Sequence, residues 1–133
     1  LKAVALDKSG NALGETTLQT AGQKTRLHLA PEKTTLRADG QSLCFIPITL
    51  TDAAGIWKPC ANAKVHLEIE GPAALQALGS AATQTDETYL GSSHTTWLGR
   101  ALAVIRAGTE PGKVRVTVTA EGYEPQYVDL TVE

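Results

Sequence analysis

Strict alternation of apolar and polar residues is the feature that most constrains the fold of this chain. Residues 113–119 run Lys-Val-Arg-Val-Thr-Val-Thr, and the same period of two recurs in residues 64–70 and 127–133. Successive side chains of a β-strand point to opposite faces, so each segment offers one apolar face to a core and one polar face to water. This pattern is typical of antiparallel sheets with one solvated side.

Four further segments are predicted strands, and turn residues separate them. These strand candidates are Lys2–Leu6, Thr25–Leu29, Leu43–Thr51 and Arg100–Arg106. Turns rich in Gly, Asp, Asn and Pro follow one another at intervals of roughly 8–15 residues. Short strands at this spacing indicate an all-β protein built as an antiparallel β-sandwich of about 7–9 strands.

Some segments depart from simple alternation. Pro47 lies inside a candidate strand, and because proline has no N–H to donate, we expect an edge strand or a bulge there. Residues 73–78 are rich in helix formers but short and bracketed by glycines, which favours a strand or a single turn. Residues 100–106 carry charges only at their ends, which predicts a buried strand with its ends in water.

The pattern fails over residues 79–98, where polar residues dominate. We predict a long loop there, with one irregular strand near Thr88–Leu90. Long loops in compact domains are often functional, so this segment is a candidate for a functional region.

Length and charge restrict the class of protein. The 133 residues fit one domain. A net charge of −2 argues against nucleic acid or an anionic membrane as the main partner, because both attract a basic excess. No apolar run approaches the roughly 20 residues of a membrane span. The chain contains no methionine, so we interpret residues 1–133 as one module cut from a longer chain.

Motifs of catalysis and cofactor binding are absent from the sequence, so we expect no catalytic residue, no cofactor and no metal. His28 and His66 fall on polar strand faces, which predicts solvated side chains. His94 lies in the long loop near Asp86 and Glu87. A structural role is favoured over a metal or acid–base role, because an extended Asp-Glu pair points its side chains to opposite faces.

The two cysteines leave two alternatives open. A hairpin with its turn near residues 53–55 would bring Cys44 close to Cys60, although not in register, so a disulfide is one outcome. The favoured interpretation makes Cys44 a small core residue and places Cys60 in a loop.

Aromatic residues are few: two Trp, three Tyr and one Phe. Most are therefore expected to serve in packing. Trp57 and Trp97 flank loops, and with Tyr89 they are the candidates for contact with carbohydrate, because aromatic faces stack on sugar rings.

Two segments carry a resemblance to a known family. Residues 38–55 hold an Ala-Asp-Gly turn, a strand and an Asp-x-x-Gly turn, and Pro59-Cys60-Ala61 follows. Residues 99–106 hold Gly-Arg-Ala before an apolar strand, with Pro-Gly-Lys and alternating residues 114–120 beyond. Together they resemble the Ig-like module near the C-terminus of bacterial β-galactosidases of glycoside hydrolase family 2.

The start of the chain resembles the end of the preceding Ig-like module in such enzymes. The alternative to a single module over residues 1–133 is therefore that residues 1–29 are that end and residues 30–133 the main module. The resemblance implies an Ig-like antiparallel β-sandwich and a parent enzyme in the periplasm or outside the cell. The catalytic carboxylates of this family reside in a TIM barrel of about 250 residues, which is not part of this chain.

The resemblance thus implies a non-catalytic accessory domain that packs on other domains of the same parent chain. Two alternatives stay open. One is a carbohydrate-binding module that contacts an oligosaccharide through Trp57, Trp97 or Tyr89. The other is an adhesion or spacer module of the invasin type, because those Ig-like modules share the strand, Asp-x-x-Gly turn and strand.

Overall fold

A computed structural model describes residues 1–133, and it consists of strands, turns and loops. The strands are β1 (Lys2–Leu6), β2 (Ala12–Thr17), β3 (Arg26–Leu29), β4 (Thr35–Leu36), β5 (Leu43–Thr51), β6 (Lys64–Glu70), β7 (Ala73–Gly79), β8 (Ser93–Thr95), β9 (Arg100–Ala107), β10 (Gly112–Ala120) and β11 (Gln126–Val132). The predicted all-β class is confirmed. No helix long and apolar enough to cross a membrane is found.

Nine strands form a sandwich of two sheets, which agrees with the predicted 7–9. One sheet has five strands in the order β4-β11-β10-β6-β8, and the other has four in the order β3-β5-β9-β7. Every pairing in the sandwich is antiparallel except β11 with β4. The remaining strands, β1 and β2, pair only with each other in a separate hairpin.

The core lies between the two sheets and is built by the alternating residues. Every second residue of β5 from Cys44 to Leu50 is fully buried, and so are Val114, Val116 and Val118 of β10. Altogether 18 apolar side chains form one cluster, nearly all of them Leu, Ile, Val or Ala. Burial of each large aliphatic side chain contributes about 1.5–3 kcal/mol, so this cluster is the main source of stability.

The predicted hairpin between β5 and β6 is wrong. The turn at residues 52–56 brings the chain back only as far as Trp57 and Lys58, which bond to Thr51 and Leu50. The chain then crosses to the other sheet, in which β6 lies. Cys44 and Cys60 are both free thiols, the first buried and the second exposed, as the favoured interpretation predicts. Burial raises the pKa of the Cys44 thiol, and its Sγ donates to the Lys33 carbonyl oxygen at 3.2 Å.

Pro47 is not on an edge strand or at a bulge, because β5 lies between β3 and β9. The ladder between β3 and β5 ends at the pair Leu29 and Ile48. Pro47 is the next residue along β5, and its carbonyl oxygen accepts from the Ala30 N–H at 3.1 Å. The nitrogen of Pro47 therefore lies just beyond the end of β3. The ladder between β3 and β5 has already ended there, so it loses no hydrogen bond through the missing N–H.

Residues 73–78 form a strand, β7, as favoured over a helix. The strand expected near Thr88–Leu90 is wrong, since these residues lie in a turn and the strand of this segment is β8. β8 was missed because three residues are too few to show a period. Two more strands were missed: β4 has only two residues, and β2 has no apolar face to bury.

A buried carboxylate ties the start of the chain to the sandwich. Asp52, just after β5, accepts from the N–H groups of Gly22, Ala54 and Ile56 at 2.7–2.9 Å. These bonds, that from Gly22 first, lower the pKa of Asp52. Lys58 adds two bonds from its Nζ to the carbonyl oxygens of residues 22 and 23. The segment between the hairpin and β3 is thus attached at the turn after β5.

The two faces of β9 differ in their contribution to stability. Ile105 is fully buried, whereas Leu102 points outward and is 40% exposed. We expect Ile105→Ala to lower the free energy of unfolding by about 2–5 kcal/mol, because it leaves a cavity in the core. The control Leu102→Ala should cost about 1 kcal/mol or less. Urea denaturation measures both, and equal losses would contradict the assignment of faces.

Candidate functional site

The outer faces of the two sheets differ in character. The five-stranded sheet exposes polar and charged residues, such as Lys113, Arg115 and Asp129. The middle of the four-stranded sheet exposes apolar ones: Leu102 and Phe45 are 40% and 38% exposed. β9 is therefore buried on one face only, which corrects the prediction of a buried strand. An exposed apolar patch of this kind marks a surface that contacts another molecule.

The aromatic residues also lie mostly on the surface, against expectation. Tyr123 packs on the core, whereas the other five are exposed. The aliphatic side chains fill the space between the sheets, so the large rings have no place there. The rings are thereby left to build surfaces.

One groove brings together all three aromatic residues that the sequence predicts for carbohydrate contact. Trp57, Trp97 and Tyr89 are 38–47% exposed and line a groove of about 610 Å³ beside the outer face of β9. The other lining residues are Ala77, Gly79, Ser80, Ala81, Leu98, Arg100, Ala101, Leu102 and Val104. The groove is mostly apolar, and Arg100 is the one charged residue in its lining.

Trp57 is fixed from two sides. Its Nε1 donates to the Leu98 carbonyl oxygen at 2.9 Å, and the Arg100 guanidinium carbon lies 3.8 Å from the centre of its ring. Such a cation over an indole face contributes about 0.5–1 kcal/mol at an exposed site. The indole is therefore held as a rigid wall of the groove.

Tyr89 comes from the long loop, which folds back on the edge of the sheet. The Leu78 N–H donates to its carbonyl oxygen at 2.8 Å, and its ring stacks on the buried His94 ring with centroids 5.3 Å apart. The ring lies directly against Gly79, where an added Cβ would overlap ring carbon Cδ1. Only glycine at this position leaves room for the tyrosine in the groove.

A strained turn positions Trp97 and Leu98. Residues 97–100 form a two-residue turn with bonds of 2.8 and 3.0 Å between the main chains of Trp97 and Arg100. Leu98 and Gly99 both have positive φ, +48° and +69°, which is the geometry of a type I′ turn. Leucine rarely adopts this conformation. The strain places the Leu98 side chain, 49% exposed, at the rim of the groove.

Glu87 holds the long loop in place. Its carboxylate accepts from the Thr95 N–H at 2.8 Å and from the Thr95 hydroxyl at 3.0 Å, and Lys64 Nζ lies at 3.3 Å. These bonds, the Thr95 N–H first, lower the pKa of Glu87. The carboxylate is thus an anchor for the segment that carries Tyr89.

His94 lies in β8, fully buried, and not in a loop. Its Nδ1 is 3.0 Å from the Thr95 carbonyl oxygen and 3.5 Å from the Glu87 carboxylate. Both neighbours are acceptors, so in the neutral ring Nδ1 carries the proton. Asp86 is exposed and takes no part. His94 packs against the ring of Tyr89, so the contacts that the structure gives it are structural.

The other histidines differ from each other. His28 is exposed, as predicted. His66 is only half-exposed, and its Nδ1 lies 2.9 Å from the Ser93 hydroxyl. No group of three or more His, Cys, Asp or Glu side chains is arranged to hold a metal ion.

A second pocket, of about 570 Å³, contains two carboxylates, Glu70 and Asp129. Arg115 donates to both oxygens of Asp129 at 2.8 and 2.9 Å, which lowers the pKa of that carboxyl group. An ion-paired carboxylate of low pKa is a poor general acid. The apolar groove, which offers aromatic faces for stacking and has no carboxylate in its lining, is therefore the better candidate site, and its residues suit binding rather than catalysis.

Fold and groove together define a class: a β-sandwich module with an apolar groove beside the outer face of one sheet. The model of the family "Glycoside hydrolase family 2 C-terminal domain 5" matches residues 27–129. The chain belongs to this family, and the resemblance noted in the sequence is confirmed. It is a C-terminal domain of the kind found in these glycosidases.

The chain is similar to parts of larger enzymes. It is 27% identical over 126 residues to beta-galactosidase BoGH2A of Bacteroides ovatus, which covers 95% of this chain and 15% of that enzyme. A glycosyl hydrolase family 2 structure from Bacteroides cellulosilyticus matches with a TM-score of 0.92 and 32% identity, over 99% of this chain and 17% of that one. The chain thus spans about a sixth of these relatives.

The D00-D0 domain of intimin is similar in fold alone. It matches with a TM-score of 0.59 and 24% identity, over 99% of this chain and 62% of that one. This likeness shows that the sandwich architecture is shared with intimin.

The strained turn at the groove yields a test. We expect Leu98→Asn to raise the free energy of unfolding by about 0.5–1 kcal/mol, because asparagine tolerates the left-handed conformation that leucine resists. Leu90→Asn is the control, since Leu90 is 81% exposed and does not have positive φ. Urea denaturation measures both variants. A Leu98→Asn protein no more stable than the parent would show that the turn stores no strain.

Proposed function

We propose that this chain is the non-catalytic C-terminal module of a β-galactosidase-like glycosidase, and that it packs on other domains of the same parent chain. The parent would hydrolyse O-glycosyl bonds in the periplasm or outside the cell. The observation that carries the proposal is the contrast between the two outer faces. A polar face suits solvent, whereas an apolar face such as that of β5 and β9 suits contact with a neighbouring domain.

The hairpin β1–β2 supports the same proposal. All of its residues are exposed, including Val4, Leu6 and Leu13. An isolated two-stranded hairpin is marginally stable in water, so apolar residues on it favour coverage by another part of the parent. We propose that it completes the preceding Ig-like module. β3 pairs with β5 inside the sandwich, so in this proposal the preceding module ends before Arg26.

The non-catalytic role is tested directly. The chain of 133 residues is expected to hydrolyse a chromogenic β-galactoside no faster than buffer, because its groove contains no carboxylate and glycosidases use a pair of them. Hydrolysis above the buffer rate would overturn the proposal if it survived purification and disappeared in the double variant Glu70→Gln and Asp129→Asn. Activity that persists in this variant would come from a contaminating enzyme.

A second candidate function is carbohydrate binding in the groove. The specific observation in its favour is that Trp57, Trp97 and Tyr89 converge on one surface, although Trp57 and Trp97 are 40 positions apart in the sequence. Aromatic rings held rigidly provide apolar faces for sugar rings, at little cost in side-chain entropy.

Calorimetric titration with a neutral oligogalactoside tests this function. We expect Trp97→Ala to weaken binding at least about tenfold, which is about 1.4 kcal/mol. Tyr127→Ala is the matched control, because Tyr127 is an exposed aromatic residue of β11, in the other sheet. If neither Trp97→Ala nor Trp57→Ala changes the affinity, the groove is not the site that binds the oligosaccharide.

A further inference from the structure

We infer that the groove prefers acidic oligosaccharides, those with a uronic acid carboxylate, and that Arg100 is the residue that selects them. This inference rests on the carbohydrate-binding function proposed above and adds the class of sugar. It is carried by the charge of the groove, the fixed position of the guanidinium and the rings around it.

The groove has one unbalanced positive charge. No Asp or Glu is among its twelve lining residues. Two other arginines of the sheets have partners: Arg115 is paired with Asp129, and Arg106 donates to the Gln76 side chain and the Gly40 carbonyl oxygen. Arg100 has neither an ion pair nor a hydrogen-bonded side chain. Its guanidinium is therefore free to receive a carboxylate.

The guanidinium is positioned before any ligand arrives. Its carbon lies 3.8 Å from the centre of the Trp57 ring, and the indole is itself fixed to the Leu98 carbonyl oxygen. The main chain of Arg100 is held by two bonds to Trp97. An arginine stacked on an aromatic face keeps N–H donors at its edge, in the fork that matches both oxygens of a carboxylate.

The surroundings suit the rest of a sugar ring. Trp97 and Tyr89 offer apolar faces in the same groove, and Ser80 lines it with a hydroxyl that has no partner in the protein.

The experiment compares two ligands of equal length on the chain of 133 residues. Tetragalacturonate carries carboxylates, and a neutral galactotetraose does not. We expect the acidic ligand to bind at least about fivefold tighter at low salt in calorimetric titrations. The preference should shrink in about 0.5 M NaCl, because salt screens exposed charge pairs.

Three variants assign the preference to one residue. Arg100→Gln should abolish the preference, so that the acidic and the neutral ligand bind this variant with equal affinity. Arg100→Lys keeps the positive charge but lacks the paired N–H donors of the guanidinium, so this variant should show a smaller preference for the acidic ligand than the parent chain. Arg106→Gln, on the same face of the same strand, should behave like the parent chain. Thermal unfolding of each variant distinguishes lost selectivity from lost folding.

The possible outcomes distinguish failure of the proposed preference for acidic sugars from failure of carbohydrate binding itself. Equal affinity for the two ligands, or a preference that survives Arg100→Gln, would overturn the inference and leave carbohydrate binding standing. Binding of neither ligand would overturn both, and the groove would then be a surface for protein contact. Selectivity lost in Arg100→Gln and retained in Arg106→Gln is the supporting result.

Discussion

The structure depends on burying one side of each of nine strands between two sheets. Because side chains alternate, this single requirement sorts the residues of every strand into an inner and an outer set. The inner set is almost wholly aliphatic, and it makes up the core. The outer set is free of packing constraints and differs between the sheets. What the module does must therefore be sought in its outer residues.

The groove arises from loops that the core holds close together. Trp57 follows β5, Tyr89 follows β7, and Trp97 precedes β9, so three separate connections supply its walls. Each wall depends on a local feature. Gly79 makes room for the tyrosine, a left-handed Leu98 shapes the turn, and Glu87 anchors the long loop. All of these contacts are internal to the chain, so the walls of the groove are in place without a ligand.

Much of the fold could be predicted from the sequence, because the alternation of apolar and polar residues along a strand can be recognised within a few residues. β5, β6, β9, β10 and β11 match their predicted bounds closely, since each is long enough to show several alternations. β8 and β4 are too short for that. The crossing from β5 to β6 was not predictable either, because a turn looks the same whether the chain returns to its own sheet or crosses to the other. That choice is decided by packing across the whole sandwich.

The site was predictable only in part. Its three aromatic residues were identified singly, from their positions beside loops. Their convergence depends on tertiary contacts and on the unusual turn conformation at Leu98, which its residue type disfavours. The sequence did not indicate that Arg100 lies over Trp57, because a charged residue at the end of a strand ordinarily points into water. Its place over Trp57 becomes visible only when residues 43 positions apart, 100 − 57, meet in the fold.

The order of strands in the four-stranded sheet also limits how fast this module can form. β5 pairs along most of its length with β9, and the pair Leu43 with Arg106 closes a loop of about sixty residues. Distant pairings of this kind slow folding, because the entropy of closing the loop is lost before the contacts form. During synthesis β5 emerges from the ribosome before β9, so the edge of β5 that pairs with β9 has no partner until β9 has also emerged. During this interval the apolar strand can aggregate with other chains. Fast elongation or binding by a chaperone would reduce the amount of new protein that is lost to aggregation.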